Sequence, residues 1–499
     1  MPTQNLQTTT VSTKRKELRK ILPTYTLVQD CIDGQVAVKA KGITYLPKPN
    51  PEDESKENET RYDAYRTRAV FYNVTQRTLN GMVGEVFNKD PIIENLPDNL
   101  EVVSEDADGA GLTLTQLAKR GVRHTLALGR AGILADFPTR EQGVTKAEIE
   151  AGTVQPTLTV YCGVSIVSWR THKTNTKTKL TQVVLHEKYD KEDDGFVVDQ
   201  GDQFRVLRLR DNVYTVEIYR DGKSIGETTP TDHSGAVFDY IPFTFIGSEN
   251  NDSEVDFVPL ADLANLNIAH YRNSADYEES SYICGQPTLH ISGLRQDWVT
   301  DILKGRVALG SRSGILTHEG CKAELLTVSP NILPGEAMDK KEKQMVALGA
   351  KLVENREVQR TATEAGQAKA SETSILADVA KNVSAAIRFA LQQCGRFIGA
   401  DLTNLVYELN TDFDIARMSA QDRAQTIAEW QQQAISFSEM RAVLRKGGTA
   451  TLDDKDARKE IADDVDFLPG GNEGEDDVPE DDPNDDPDKD PEEDEEDDA

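Results

Sequence analysis

Residues 241–282 read IPFTFIGSENNDSEVDFVPLADLANLNIAHYRNSADYEESSY, and the chain changes character inside them. Before Ile241-Pro242-Phe243-Thr244-Phe245, β-branched and aromatic runs are divided by turn residues. After Pro259 the apolar residues take helical spacing: Leu263, Leu266, Ala269 and Tyr277 fall on or near one side of a helix over 260–282. Strands and helices in separate runs point to an α+β fold.

Working upstream, strands are expected at 160–161, 166–169, 181–186, 204–209 and 213–219, with turns at Asp211-Asn212 and Asp221-Gly222. Tyr214, Val216 and Ile218 alternate with Thr215, Glu217 and Tyr219, so one face is buried and one is wet. Residues 156–246 read as one antiparallel module. Before it, a single helix is expected over 61–87, stopped by Asn88-Lys89-Asp90-Pro91. A second is expected over 113–128, with Thr113 and Gln116 as a capping box, followed by a short apolar strand at 133–135. Residues 1–60 read as an arm and linker: a loose Thr/Gln-rich start, a basic cluster at Lys14–Lys20 that suits a solvated helix start, and a Pro-and-charge stretch at 47–60.

Working downstream, residues 285–330 are Gly-rich with strand-like pieces at 288–291 and 323–328. Helices are expected at 335–355 and, very long, at 371–409. Two shorter ones begin at Ser419 and Ser436, the latter with Glu439 as a capping-box partner.

Charge and composition narrow the classes. Of a net −30, the segment 472–499 alone holds −17, with 18 Asp/Glu, one Lys and four prolines. It cannot bury enough apolar surface to offset its ordering entropy, so disorder is expected there. No apolar run approaches membrane-spanning length, and the polar N-terminus lacks a signal-peptide core. Cys31, Cys162, Cys284, Cys321 and Cys394 are odd in number and widely spaced, which suits reduced thiols in a cytosolic setting.

No catalytic or metal motif survives inspection. Gly222-Lys223-Ser224 lacks the leading glycine of a phosphate loop, since Glu217 stands there, and it falls in an expected hairpin turn. His186-Glu187 and His318-Glu319 lack the second histidine of a zinc-protease helix. Arg312 occupies the nucleophile position of Gly310–Gly314. Asp106 and Asp108 beside Gly109 suit a loop before the Thr113 helix better than an ion site. No catalytic residue, metal or cofactor is expected. One charge pattern stands out. On the 335–355 helix, Met338, Met345, Leu348 and Leu352 share one side while Lys340, Lys343 and Lys351 occupy the other, with Arg356 and Arg360 following. An ordinary solvated face would look the same; a helix presenting cations to phosphate is the functional reading.

In order along the chain stand Tyr65-Arg66, Gly84–Pro91, Asp106–Gly109, Gly129–Pro138, Ser165–Arg170, Ile241-Pro242-Phe243, Pro259–Asn267, His270-Tyr271 and Gly285-Gln286-Pro287. In this order the chain resembles the tailed-bacteriophage portal proteins, in the branch formerly filed as an uncharacterised phage domain family, over about 60–450. The resemblance implies a twelve-copy ring (a dodecamer) at one capsid vertex of the virion, assembled in the host bacterial cytoplasm. It implies a wing (61–258), a first stem helix (259–284), a clip (285–330) and a second stem helix (331–356). A tunnel loop with a long helix (357–415) and a crown (416–471) would follow. Implied partners are double-stranded DNA, the terminase large subunit, a head–tail adaptor, and major capsid and scaffolding proteins, without a membrane. Lys340, Lys343, Lys351, Arg356 and Arg360 are the channel candidates. Arg295, Asp297, Trp298, Lys304 and Arg306, in the clip, are the docking candidates. The other readings are another virion structural protein (a head–tail adaptor or minor capsid protein), against which length argues, and a nuclease using carboxylate-bound Mg²⁺.

If the acidic segment repels incoming DNA or holds a basic partner, deleting residues 472–499 changes procapsid yield or packaged DNA length. Unchanged values mean that it only solubilises.

Overall fold

The computed structural model describes residues 10–137, 154–173, 178–193, 195–285, 288–302, 319–326, 331–351, 374–411, 413, 420–432, 434–446, 450 and 452–465. The chain divides into two units, residues 1–413 and 414–499. The segment 472–499 expected to be disordered, residues 357–370 expected as a tunnel loop, and the motifs at 310–314 and His318 lie outside the described residues.

Helix α1 (Lys16–Asp33) starts at the basic cluster as expected, then α2 (Gln35–Ala40) follows. Leu18, Tyr25, Val28, Cys31 and Leu46 are buried, so residues 16–46 belong to the core rather than to an arm. The helix expected over 61–87 is two helices, α3 (Lys56–Arg68) and α4 (Val74–Val86). Ala69 turns extended, and the freed amides find partners outside the helix: Val70 N–H donates to Ser274 Oγ (2.9 Å) and Phe71 N–H to Gln35 Oε1 (3.1 Å). Asn73 then caps α4 by accepting from Gln76 N–H (3.0 Å). The apolar spacing runs across the break because Ala69 and Phe71 are buried on either side of it.

After β1 (Ile92–Glu94) and α5 (Glu101–Glu105) comes α6 (Leu114–Leu128). Its capping box forms: Gln116 N–H donates to Thr113 Oγ1 (3.3 Å) and Thr113 N–H to Gln116 Oε1 (3.2 Å). Asp106 and Asp108 accept backbone amides of Gly111, Ala110 and Leu112, the loop role expected of them. Gly129 ends α6 at φ 69°, and β2 (Arg130–Asp136) starts at once.

The expected single sheet module is two sheets. β3 (Thr157–Cys162) and β9 (Phe243–Gly247) flank β2 antiparallel in one. β4 (Ile166–Lys173), β5 (Thr178–Asp193), β6 (Val198–Arg210), β7 (Val213–Arg220) and β8 (Lys223–Thr228) form an antiparallel meander in the other. The reason lies in β2: Ala131 to Ala135 are buried, so both its edges need strand partners. The meander's turns are as the sequence dictates. Asp211 and Asn212 have φ of 49° and 62°, and Asp221 and Gly222 have 48° and 74°, the twisted two-residue hairpin geometry. Gly222 therefore closes a hairpin turn, and Lys223 and Ser224 already belong to β8. The two sheets are pinned by Arg205 of β6, which donates to Glu187 of β5 (2.8 Å) and to Asp136 of β2 (2.8 Å).

The helical half begins with α7 (Ala261–Cys284). A hairpin of β10 (Thr288–Ser292) and β11 (Lys322–Leu326) follows, then α8 (Leu333–Lys351) and α9 (Ile375–Ile398). The helix expected over 371–409 stops at Gly399, where φ is 78°, and the chain doubles back into β12 (Val406–Glu408) beside β1. Leu402, Leu405, Tyr407 and Leu409 are buried, but as a turn and strand, so the apolar stripe outlasted the helix. α9 lies inside the first unit: Val379, Val383, Ile387, Leu391 and Cys394 are buried, and Phe397 packs on Phe137 and Phe238 at 5.3 and 4.7 Å.

The second unit contains α10 (Ala420–Gln431), α11 (Phe437–Lys446) and α12 (Asp454–Val465), the last unanticipated. The Ser436–Glu439 capping box forms reciprocally at 2.8 and 3.2 Å.

A Cβ on residue 129 would strike the Phe257 carbonyl, at a φ that side chains resist. Gly129→Ala is therefore expected to cost at least about 2 kcal/mol in urea unfolding. Gly81→Ala, mid-helix in open space, is expected to stabilise by about 0.5–1 kcal/mol.

Candidate functional site

The strongest sequence signal for function lies on α8, so its surroundings matter. α7 has two halves. Leu263, Ala264, Asn267, Ile268, Tyr271 and Ala275 are buried, while Tyr277, Tyr282 and Ile283 beyond them are exposed. The first half is fixed by an amide. Asn267 Oδ1 accepts from Thr75 N–H (3.2 Å) and Thr75 Oγ1 (3.0 Å), and its Nδ2 donates to the Tyr72 carbonyl (2.7 Å). This satisfies backbone groups left open where α3 gives way to α4. Tyr65 Oη donates to Asp276 (2.6 Å), and Arg68 pairs with Glu279.

α8 returns antiparallel along α7. The order of contacts gives the direction: Gly335 lies by Tyr277, Lys341 Nζ donates to Asn273 Oδ1 (3.2 Å), and Glu342 faces His270 Nε2 (3.2 Å). Met345 is buried and Leu348 half-buried, as the expected inner side requires. Lys340 and Lys343 are exposed, and among the described residues neither has an ion-pair partner. The outer face also carries exposed Glu336 and Asp339, so it is mixed rather than purely cationic. Lys351 is the last residue of α8, and its side chain is outside the description. Arg356 and Arg360 also lie outside the described residues. Two of the five channel candidates are thus placed together.

Between the helices, the β10–β11 hairpin pairs Thr288 with Leu326 through Ser292 with Lys322. Beyond β10, Arg295 and Asp297 form an exposed ion pair (2.8 Å) that holds the Asp297 carboxyl below its usual range. Trp298 opens a short π-helical turn, Trp298–Ile302, and is half-buried. Lys304 and Arg306 lie outside the described residues.

Among the described residues, no three His, Cys, Asp or Glu side chains converge as metal ligands, and no disulfide joins the five cysteines. Burial pushes the Cys31 thiol up to about 12 and raises Cys394 further, which leaves both unreactive. His186 is a sheet-face histidine that meets Asp202 (2.8 Å). No helix among the described residues is long and apolar enough to cross a membrane. Sequence reasoning missed Asn267 and Ser274. Their only signal was polarity on the inner face of a helix otherwise lined with Leu and Ala.

A family described as "Domain of unknown function (DUF4055)" matches residues 259–398, the stretch from α7 through α9. Among solved structures, the chain is similar to one from the virion of a native gene transfer agent particle, at 15% identity. That match covers 83% of this chain and 98% of the other, with a TM-score of 0.38. A chain from the neck of an empty gene transfer agent particle, computed with C6 symmetry, is 16% identical over 82% and 98%, with a TM-score of 0.40. One from the neck of the native particle, computed with C12 symmetry, is 12% identical over 82% and 98%, with a TM-score of 0.38. With identities and TM-scores this low, these likenesses carry no conclusion about function. No curated protein matches the chain.

Asn267→Leu leaves the Thr75 amide buried and unpaired. It is expected to lower unfolding free energy by about 2–3 kcal/mol. Asn265→Leu is expected to shift it by less than about 0.5 kcal/mol, since Asn265 bonds only within its own exposed turn.

Proposed function

We propose that the protein is a phage portal subunit: a component of a ring at one capsid vertex through which double-stranded DNA is packaged, retained and ejected. The observation that carries this reading is α8. Its inner face is tied to α7 by Met345, Glu342 and Lys341, while Lys340 and Lys343 are exposed and have no ion-pair partner among the described residues. The sequence resemblance supports it independently of that geometry.

The physical logic is as follows. DNA that must slide should meet few, sequence-neutral phosphate contacts, because many would bind too tightly. Two lysines per subunit among carboxylates, repeated around a ring, meet that requirement. A ring also needs head-to-tail contacts that close by rotation. Exposed Tyr277, Tyr282, Ile283, Ile332, Leu333 and Val346 give the helix pair an apolar border that neighbouring copies would cover. In this reading α7 and α8 are the stem, the β10–β11 hairpin belongs to the clip, and Arg295, Asp297 and Trp298 face the terminase large subunit and later a head–tail adaptor. Capsid and scaffolding proteins would surround the ring in the virion. The subunit itself would not hydrolyse ATP.

Purified protein is expected to form rings of about twelve copies by electron microscopy and analytical ultracentrifugation; monomers alone at high concentration would refute the reading. The Lys340→Glu, Lys343→Glu double variant is expected to assemble normally but to package less DNA. Normal packaging would remove these lysines from the channel.

A further inference from the structure

A second cationic feature lies on the five-stranded sheet, far along the sequence from α8. Residues 10–15 run over the sheet's outer face. Arg15 N–H donates to the Val167 carbonyl (3.0 Å), and its guanidinium donates to the Trp169 carbonyl (2.7 Å) and sits 4.6 Å above the Trp169 ring. Between this strap and the meander lies a groove of about 890 Å³. Lys14, Arg15, Arg170, Arg208 and Arg210 line it, and no Asp or Glu does, in a chain of net charge −30.

The strand register aligns two of these arginines in one row. Arg170 of β4 stands opposite Gln182 of β5, which stands opposite Arg208 of β6. The next row on the same face brings Val184 opposite Val206, which with Val167 form a small apolar cluster apart from the main core, touched by Val11 and Tyr219. Arg15 is paired with Glu17, and Arg208 approaches Glu217 at 3.5 Å. Among the described residues, Lys14, Arg170 and Arg210 have no ion-pair partner. Among the described residues, Arg208 Nε and Thr215 Oγ1, directly across from Arg208 on β7, are buried without a hydrogen-bond partner. An arginine fork matches a carboxylate in two places, and the exposed Arg170 and Arg210 are open to one.

We propose that this groove docks an extended acidic segment of a partner protein, with carboxylates on the arginine row and small apolar side chains over Val184 and Val206. Nucleic acid fits less well. A single strand calls for successive aromatic stacking platforms, and the lining offers only Tyr219. A duplex is a convex rod, whereas these cations line a concavity that also includes Val184 and Val206. The inference does not depend on the portal reading, because it uses neither α8 nor ring closure.

The test is fluorescence anisotropy of the full chain with a labelled glutamate-rich peptide carrying interspersed valines, in low salt. Saturable binding is expected, weakening as salt rises. Arg170→Gln with Arg210→Gln, both at exposed positions, is expected to weaken it by about tenfold without changing the melting temperature. Val206→Thr is expected to weaken the valine-bearing peptide more than a valine-free polyglutamate of equal charge. Three results would overturn the proposal: no binding of the peptide, equal binding by the arginine variant, or tighter binding of a single- or double-stranded oligonucleotide of matching charge.

Discussion

The buried carboxamide of Asn267 holds the place where three helices must agree. It accepts from Thr75 at the start of α4 and donates to Tyr72 just before it, while sitting in the buried half of α7. Without it, the buried Thr75 amide at the start of α4 would lose its acceptor. Because α7 is continuous, fixing its first half also fixes its exposed second half, and with it α8. The outward direction of Lys340 and Lys343 is set in this way by an amide many residues distant.

The same economy governs the two sheets. β2 is buried along its length and so captures β3 and β9, leaving the five-stranded meander to fold on its own hairpin turns. Arg205, shared between Glu187 and Asp136, keeps the two layers in register through charge-assisted bonds. The meander's outer face is then free to carry the cationic groove. A chain that is acidic as a whole thus displays basic groups at two places, one convex on α8 and one concave beside the strap. Convex, sparse cations suit a polymer that slides, whereas concave, crowded ones suit a ligand that stays.

Much of this was legible in the sequence. The α+β class, the Thr113 and Ser436 capping boxes, the Asp211-Asn212 and Asp221-Gly222 turns and the two-sided pattern of α8 all follow from interactions within a few residues. Their spacing alone carries the information. The misreadings share a cause as well. The helices written over 61–87 and 371–409 followed apolar periodicity through Ala69 and Gly399, where the chain leaves the helix yet keeps burying side chains. Burial has the same signature whether a helix, a turn or a strand supplies it.

Sequence by itself thus determined the α+β class, the starts of α6, α7, α11, β4 and β7, and that Lys340 and Lys343 would oppose Met345. Only the tertiary structure decided that residues 16–46 join the core, that β2 divides one expected sheet into two, and that Arg170, Arg208 and the strap at Lys14-Arg15 meet in one groove. The first set rests on contacts spanning a turn or two of chain. The second rests on pairings across tens to hundreds of residues, such as Ser274 with Val70 or Arg15 with Trp169, whose partners no local pattern names.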